Sequence, residues 1–382
     1  MTTTTDPSRQ PASADPAAPD DSVVVDPVEL KVGGRSRQSW LARQRWWMVR
    51  VLLLPVHLAV FTVLTFILVR SVPGDPVLAH LGPNYTPDAY DDMQEAMGLS
   101  GSVWDQLGAY LGRVVQFDLG ESLSTKRPVL EDFATRLPST LELAGMALAG
   151  CVALSLLLSF FAVFRPHWKA SSVIRAYART AGAIPEFVLA IAALFVFYAT
   201  LRWAPAPLGR LDSMISTPPA VTGLPFLDTL LTGRLDATIS MSSHLVLPLV
   251  VLILAQSAIL TKILVSSLQK SVDTAPTWFR IASGSSKPAV VVSVYRRALP
   301  PAVTMCGTLF GYLLGGAVVL ETLFGFAGMG QYAVTAVTTS DYIAMQGFLL
   351  VVAFISLVVF LLVDLANMML DPRRRPGVRT ED

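Results

Sequence analysis

The chain has 382 residues, of which 53% are apolar and only 15% charged, against about a quarter charged in an ordinary soluble domain. Lys and Arg total 29 and Asp and Glu 28, a net charge of +1, so the overall balance gives no argument for nucleic acid or acidic partners. The composition excludes an ordinary soluble domain and makes the placement of the few charges the informative feature.

In chain order, residues 1 to about 33 are rich in Thr, Pro, Ala, Ser and Asp, a composition that cannot bury enough apolar surface to order itself. Trp40–Arg50 alternates basic and aromatic residues, as expected of a segment lying along a membrane interface, with Trp46 and Trp47 in the aromatic belt. Residues 1–45 are read as this disordered or interfacial extension. The first uncharged run, Val51–Val69, follows.

The next stretch, 71–138, is long enough for structure of its own. Thr86, Pro87 and Asp88 supply an N-cap, an N1 proline and a first-turn acid. Ser102 with Asp105 resembles a capping box ahead of the stripe Trp104, Leu107, Leu111 and Val114. Two short helices are expected there.

Further uncharged runs occupy Leu143–Phe164, Phe187–Leu201 (extended at its start by Ala181–Pro185), Leu245–Thr261, Ala302–Leu320 and Tyr342–Val363. About 20 apolar residues cross the hydrocarbon core of a bilayer, so the runs predict an all-α integral membrane protein with six spans. The segment Trp203–His244, rich in Pro, Gly and Thr, has no readable periodicity.

Lys and Arg set the orientation. With the N-terminus inside, inner segments hold Arg35, Arg37, Arg43, Arg45 and Arg50, then Arg165, Lys169, Arg175 and Arg179, then a basic stretch, then Arg373, Arg374 and Arg375. Outer segments hold Arg113, Lys126, Arg127, Arg136, Arg210 and Arg234. The positive-inside rule places both termini in the cytoplasm.

The basic stretch, residues 262–300, carries Lys262, Lys270, Arg280, Lys287, Arg296 and Arg297 against one acid, Asp273. Its centre is a run of small residues from Ala282 to Ser286, and Pro288 interrupts any helix after the turn. A connection of this length and charge on the cytoplasmic side reads as a docking element.

Chemistry-bearing motifs are scarce. The four histidines, His57, His80, His167 and His244, lack metal-ligand spacing, and no G-x-x-x-x-G-K-[ST] loop occurs. The two cysteines, Cys151 and Cys306, fall inside apolar runs and read as small core residues. Gly307, Gly311 and Gly315 place three glycines on one helix face, read first as tight helix packing and second as a wall of a path. Glu142, Glu186, Glu321 and Asp364 lie near span ends, where solvated or capping roles are expected over ion coupling.

Several strings resemble the dipeptide, oligopeptide and nickel group of permeases from binding-protein-dependent ABC importers. These are Pro73-Gly74-Asp75-Pro76, Phe117-Asp118-Leu119-Gly120-Glu121-Ser122, and Leu137-Pro138-Ser139-Thr140-Leu141-Glu142-Leu143. Ile184-Pro185, Glu321-Thr322 with Gly328-Met329-Gly330, and Leu370-Asp371-Pro372-Arg373 complete the set. The resemblance covers residues 46–376 and leaves 377–382 as a tail. It implies external-loop or gate positions at Pro73, Gly74, Asp75, Pro76, Asp118, Gly120, Glu321, Gly328 and Gly330. Two departures are Ala327, where the family has proline, and Glu186, which replaces a commonly small polar residue.

The resemblance further implies a type I importer permease fold, with 262–300 as the loop that docks an ATPase through Trp278, Phe279, Arg280 and Ala282. In that register Ser286 falls at the family's glycine and Gly284 lies two residues earlier, leaving two candidates for that position. The implied partners are a related second permease, two ATPase domains that hold ATP and Mg, an extracytoplasmic binding protein and membrane lipid. The implied cargo is a di- or oligopeptide, or alternatively a nickel chelate or other small cargo. The chain itself is expected to carry no cofactor, no metal and no catalytic residue, and to sit in a bacterial-type inner membrane. A secondary carrier or channel would need inverted repeats and a mid-span coupling site, neither of which is seen; a membrane scaffold is the remaining rival.

Overall fold

The computed structural model describes residues 40–71, 75–180 and 182–370. The reading of residues 1–39 as disordered, Pro73, Gly74 and the tail fall outside these, as do the side chains of Trp46 and Trp47. Among the described residues the chain is helical, with a single β-bridge between Glu121 and Pro128.

Among the described residues, five helices are long and apolar enough to cross a membrane: α1 (Trp40–Arg70), α5 (Val129–Phe164), α9 (Leu235–Val272), α11 (Lys287–Phe324) and α13 (Tyr342–Leu370). The third apolar run, Phe187–Leu201, differs from expectation. It forms α7 (Glu186–Ala193), eight residues of α-helix, and continues through seven residues of π-helix at Leu194–Thr200. Together they are shorter than the roughly 20 residues that cross a hydrocarbon core upright.

The long helices also outrun the apolar stretches that announced them. The fourth run ends at Thr261, yet α9 continues to Val272; the fifth begins at Ala302, yet α11 begins at Lys287. The polar ends stay helical because they keep packing: Leu268 on α9 is buried against Val294 and Ala298 on α11. Pro288 does not interrupt a helix. It lies in the first turn of α11, where a backbone donor has no intrahelical partner to lose. The connection between the long helices is therefore confined to residues 273–286, within which α10 (Ala275–Ala282) stands alone.

The main core lies where α5, α9 and α11 meet, with Leu143, Ala147, Leu252, Leu313 and Leu320 buried together. Helix α1 is peripheral, and Leu52 and Leu68 on it are 70% and 60% exposed, as suits a helix whose outer face meets lipid. The short helices gather at the two ends of the bundle. α8 (Pro225–Leu231) and α12 (Met329–Thr338) pack near the start of α5, whereas α6 (Lys169–Arg179) and α10 follow the ends of α5 and α9.

The expected helices between α1 and α5 form as α3 (Pro87–Ala96) and α4 (Val103–Val115). Thr86 caps α3 by accepting from the Ala89 amide, and Ser102 with Asp105 completes a reciprocal capping box. A third helix, α2 (Pro76–Leu81), starts on Asp75, whose carboxylate accepts from the Val77 and Leu78 amides. Tyr110 of α4 stacks on Phe66 of α1 at 5.8 Å between ring centroids, and burial pushes its phenol up to about 12.

Candidate functional site

Three places in the bundle collect the residues singled out by sequence. The first is the end carrying α12. Glu321, at the end of α11, is fully buried. Its Oε1 accepts from the Thr140 hydroxyl at 2.5 Å and its Oε2 from the Gly330 amide at 2.7 Å, while the Met329 amide donates to Thr140 Oγ1 at 2.9 Å. The carboxylate thus closes the N-terminus of α12, where free amides and the helix dipole favour negative charge. Gly328 and Gly330 provide the room: a Cβ on Gly328 would stand 2.2 Å from Glu321 Oε1, and one on Gly330 would stand 2.3 Å from Val318 Cα.

Next to it, Arg210 reaches in from the connection after α7. It donates to Glu142 Oε2 at 3.1 Å and to the Ser139 carbonyl at 2.6 Å, with the two charged side chains only 8% and 6% exposed. Glu142 accepts in turn from the amides of Phe226 and Leu227 at the start of α8. Burial pulls the Arg210 guanidinium down while Glu142 and Glu321 push it back up. Glu142 and Glu321 are therefore capping groups, as expected, but not solvated ones. Their neighbours are helix termini within the bundle rather than water. Asp364 is the solvated case, paired with Arg50 at 2.5 Å and about half exposed.

The motif Phe117–Ser122 folds onto the start of α13. Asp118 accepts from the Gly120 amide at 2.9 Å, and Gly120 has φ of +83° with a Cβ position 2.8 Å from Ile343, so only glycine fits without a shift there. Buried Asp341 accepts from the Ser122 hydroxyl at 2.7 Å and the Ser124 amide at 3.0 Å. Val77, Met97, Leu123, Phe133, Met329, Tyr332 and Ile343 share one buried cluster, which joins α2 and α3 to α12 and α13. Asp75 and Pro76 serve the start of α2, and the Asp75 carboxylate also accepts from the Tyr90 hydroxyl at 2.9 Å.

The second place is α10. Its outward side presents Trp278, Phe279 and Ile281 at 60%, 74% and 49% exposure. Phe279, Arg280, Ser283 and Ser285 line an open concavity of about 650 Å³ with Ala275 and Pro276. Ala282 ends the helix, and Gly284 adopts φ of +73°. The Gly284 amide donates to the Ile281 carbonyl and the Ser285 amide to the Arg280 carbonyl, a Schellman closure that calls for glycine at the left-handed position. Ser286 has extended backbone and precedes α11, so Gly284, not Ser286, meets a glycine requirement.

Sequence reasoning missed what seats α10. Thr277, 2% exposed, donates to the Ser271 carbonyl of α9 at 2.8 Å and accepts from Arg297 of α11. The signal in the sequence is Pro276 two positions after Thr274, a helix start. The partner Arg297 lies twenty positions on and has no local signature.

The third place is a cavity of about 530 Å³ between α7, α9 and α11, lined by Glu186, Gln256, Gly311, Tyr312, Gly315 and Gly316 among others. The three glycines singled out by spacing do not act together. Gly307 packs on α13, where a Cβ would stand 3.2 Å from Val363 and 3.3 Å from Phe360, whereas Gly311 and Gly315 have nothing within 4 Å and face the cavity.

Residues 154–376 match the model of the binding-protein-dependent transport system inner membrane component, and residues 44–144 match the N-terminal model of the same membrane component. Among curated relatives, the probable D,D-dipeptide transport system permease protein DdpB of Escherichia coli strain K12 is 33% identical over 87% of this chain and 96% of its own length. The dipeptide transport system permease protein DppB of Alkalihalophilus pseudofirmus is 32% identical over 85% and 98%. The di/tripeptide transport system permease protein DppB of Pseudomonas aeruginosa is 32% identical over 85% and 96%.

Proposed function

This chain belongs to the family of inner membrane components of binding-protein-dependent transport systems, and from that premise we propose that it is one permease half of an ATP-driven importer of short peptides. It is a multi-pass membrane protein and a transport subunit. The peptide assignment rests on the di- and tripeptide names of relatives aligned over nearly their whole length. In the proposed complex a related second permease completes the path. Two ATPase domains supply the ATP and Mg chemistry, and an extracytoplasmic binding protein delivers the cargo. The distribution of Lys and Arg supports cytoplasmic termini, which puts α6 and α10 inside and α8 and α12 outside.

The observation that carries the coupling role is α10 itself. A short helix holds Phe279 at 74% exposure beside Arg280, and it is seated on both α9 and α11 through Thr277. A body that grips α10 therefore moves two bundle helices as a unit, the rigid-body transmission that domain closure requires. ATP shifts the inward–outward equilibrium only by binding the two states of the complex unequally. Replacement of Phe279 by Asp is expected to leave the chain inserted and to abolish peptide-stimulated ATP hydrolysis in the assembled complex. Unchanged stimulation removes α10 from the interface.

A further inference from the structure

The cavity between α7, α9 and α11 holds one carboxylate, Glu186, in walls that are otherwise apolar or glycine except for Gln256 and Tyr312. Gln256 Nε2 donates to Glu186 Oε2 at 2.9 Å. A carboxylate oxygen accepts here, so with this bond made Gln256 Oε1 is left as an acceptor without a donor. That oxygen is buried with no partner, on a residue 9% exposed that lines the cavity. A buried acceptor left unpaired is costly, and here it belongs to the residue that donates to the Glu186 carboxylate. Glycines clear the space around them. A Cβ on Gly316 would stand 1.6 Å from Glu186 Oε1, and Gly311 and Gly315 leave open wall beyond it. At about 530 Å³ the cavity falls within the range of about 300–1,000 Å³ typical of small-ligand sites.

We propose that Glu186 and Gln256 form an ammonium-binding station in the translocation path, which receives the amino terminus of a peptide in transit. A primary ammonium has three donors and no acceptor. It matches a site that offers a carboxylate and, after rotation of the Gln256 amide, a second oxygen. A lysine side chain carries the same group, so the shared chemistry is a primary ammonium. The station rests on the peptide-permease reading, and its failure is separable from failure of that reading.

The test uses the whole complex, with both permeases, both ATPases and the binding protein, in proteoliposomes. Uptake of a free-amino tripeptide is measured at saturating loaded binding protein. Glu186→Gln and Gln256→Leu should each lower its maximal rate about tenfold or more, and uptake within twofold of wild type in both variants overturns the station. Wild-type complex in lipid nanodiscs, without binding protein, provides a readout free of any folding defect. It should bind the free-amino tripeptide about tenfold more tightly than the N-acetyl form, and an N-acetyl peptide bearing lysine should recover part of that difference if side-chain ammonium is also taken. Equal affinity of the free and acetylated tripeptides overturns the station. A wild-type complex that carries no peptide at all refutes the peptide reading instead.

Discussion

Thr140 and Glu321, 181 positions apart in sequence, meet in a 2.5 Å hydrogen bond inside the end of the bundle that carries α12. Through this bond the start of α5, the end of α11 and the N-terminus of α12 become one structural unit, because Thr140 also accepts from Met329 and Glu321 from Gly330. Replacing Thr140 by Val keeps the volume but leaves Glu321 Oε1 and the buried Met329 amide without these partners. The expected loss is about 1–3 kcal/mol, measurable as lower thermal stability of the detergent-purified chain, with Thr140→Ser nearly neutral.

Arg210 and Glu142 form the neighbouring buried pair. Removing one partner leaves the other as an uncompensated buried charge, which costs about 3–5 kcal/mol. Arg210→Leu should therefore destabilise far more than Arg234→Leu, whose ion pair with Asp236 is exposed. Denaturation of the two variants side by side checks the ordering, and equal losses would remove the buried pair from the account.

Asp228 makes a pH-dependent contribution. The Thr222 hydroxyl, together with nearby backbone amides, holds its carboxyl below the ordinary aspartate value of 3.8. A carboxyl whose folded value lies below its unfolded one adds stability above the unfolded value and loses it as pH falls through the folded one. Protection of the Thr222 and Gly223 amides from hydrogen exchange should therefore hold near neutrality and fall below about pH 4, and Asp228→Asn should remove the dependence.

Gly284 is the fourth position with a defined expectation. Its φ of +73° costs a residue with a Cβ about 1–2 kcal/mol, although open space surrounds it. Gly284→Val should loosen the end of α10 and weaken ATPase coupling without disturbing membrane insertion, whereas Ser286→Gly should leave coupling unchanged. Stimulated ATP hydrolysis in the reconstituted complex reads both.

Much of this was legible in the sequence. Five of the six uncharged runs became the long helices, and Thr86, Ser102 and Asp105 capped the helices they announced, because capping is local chemistry within three residues. The basic stretch that looked like a long loop was misread because hydropathy marks what faces lipid, not where a helix stops. Leu268, Val294 and Ala298 keep the polar ends of α9 and α11 helical by packing on each other. The burial of Glu142 and Glu321 was invisible for a different reason. Their partners Arg210 and Thr140 lie 68 and 181 positions away, and nothing near either acid in sequence announces them. The split of the glycine row, with Gly307 packed and Gly311 and Gly315 facing a cavity, likewise depends on where α7 and α13 happen to lie.

The central claim is that this chain moves peptides only as part of an ATPase-driven assembly gripped at α10. The most direct measurement is uptake of a labelled dipeptide into proteoliposomes holding the chain, its partner permease and the two ATPases, with loaded binding protein on the receiving face. The account predicts accumulation that requires ATP and the binding protein and is lost with Phe279→Asp. Uptake by this chain alone along an ion gradient, or uptake that survives omission of the ATPases, would contradict it.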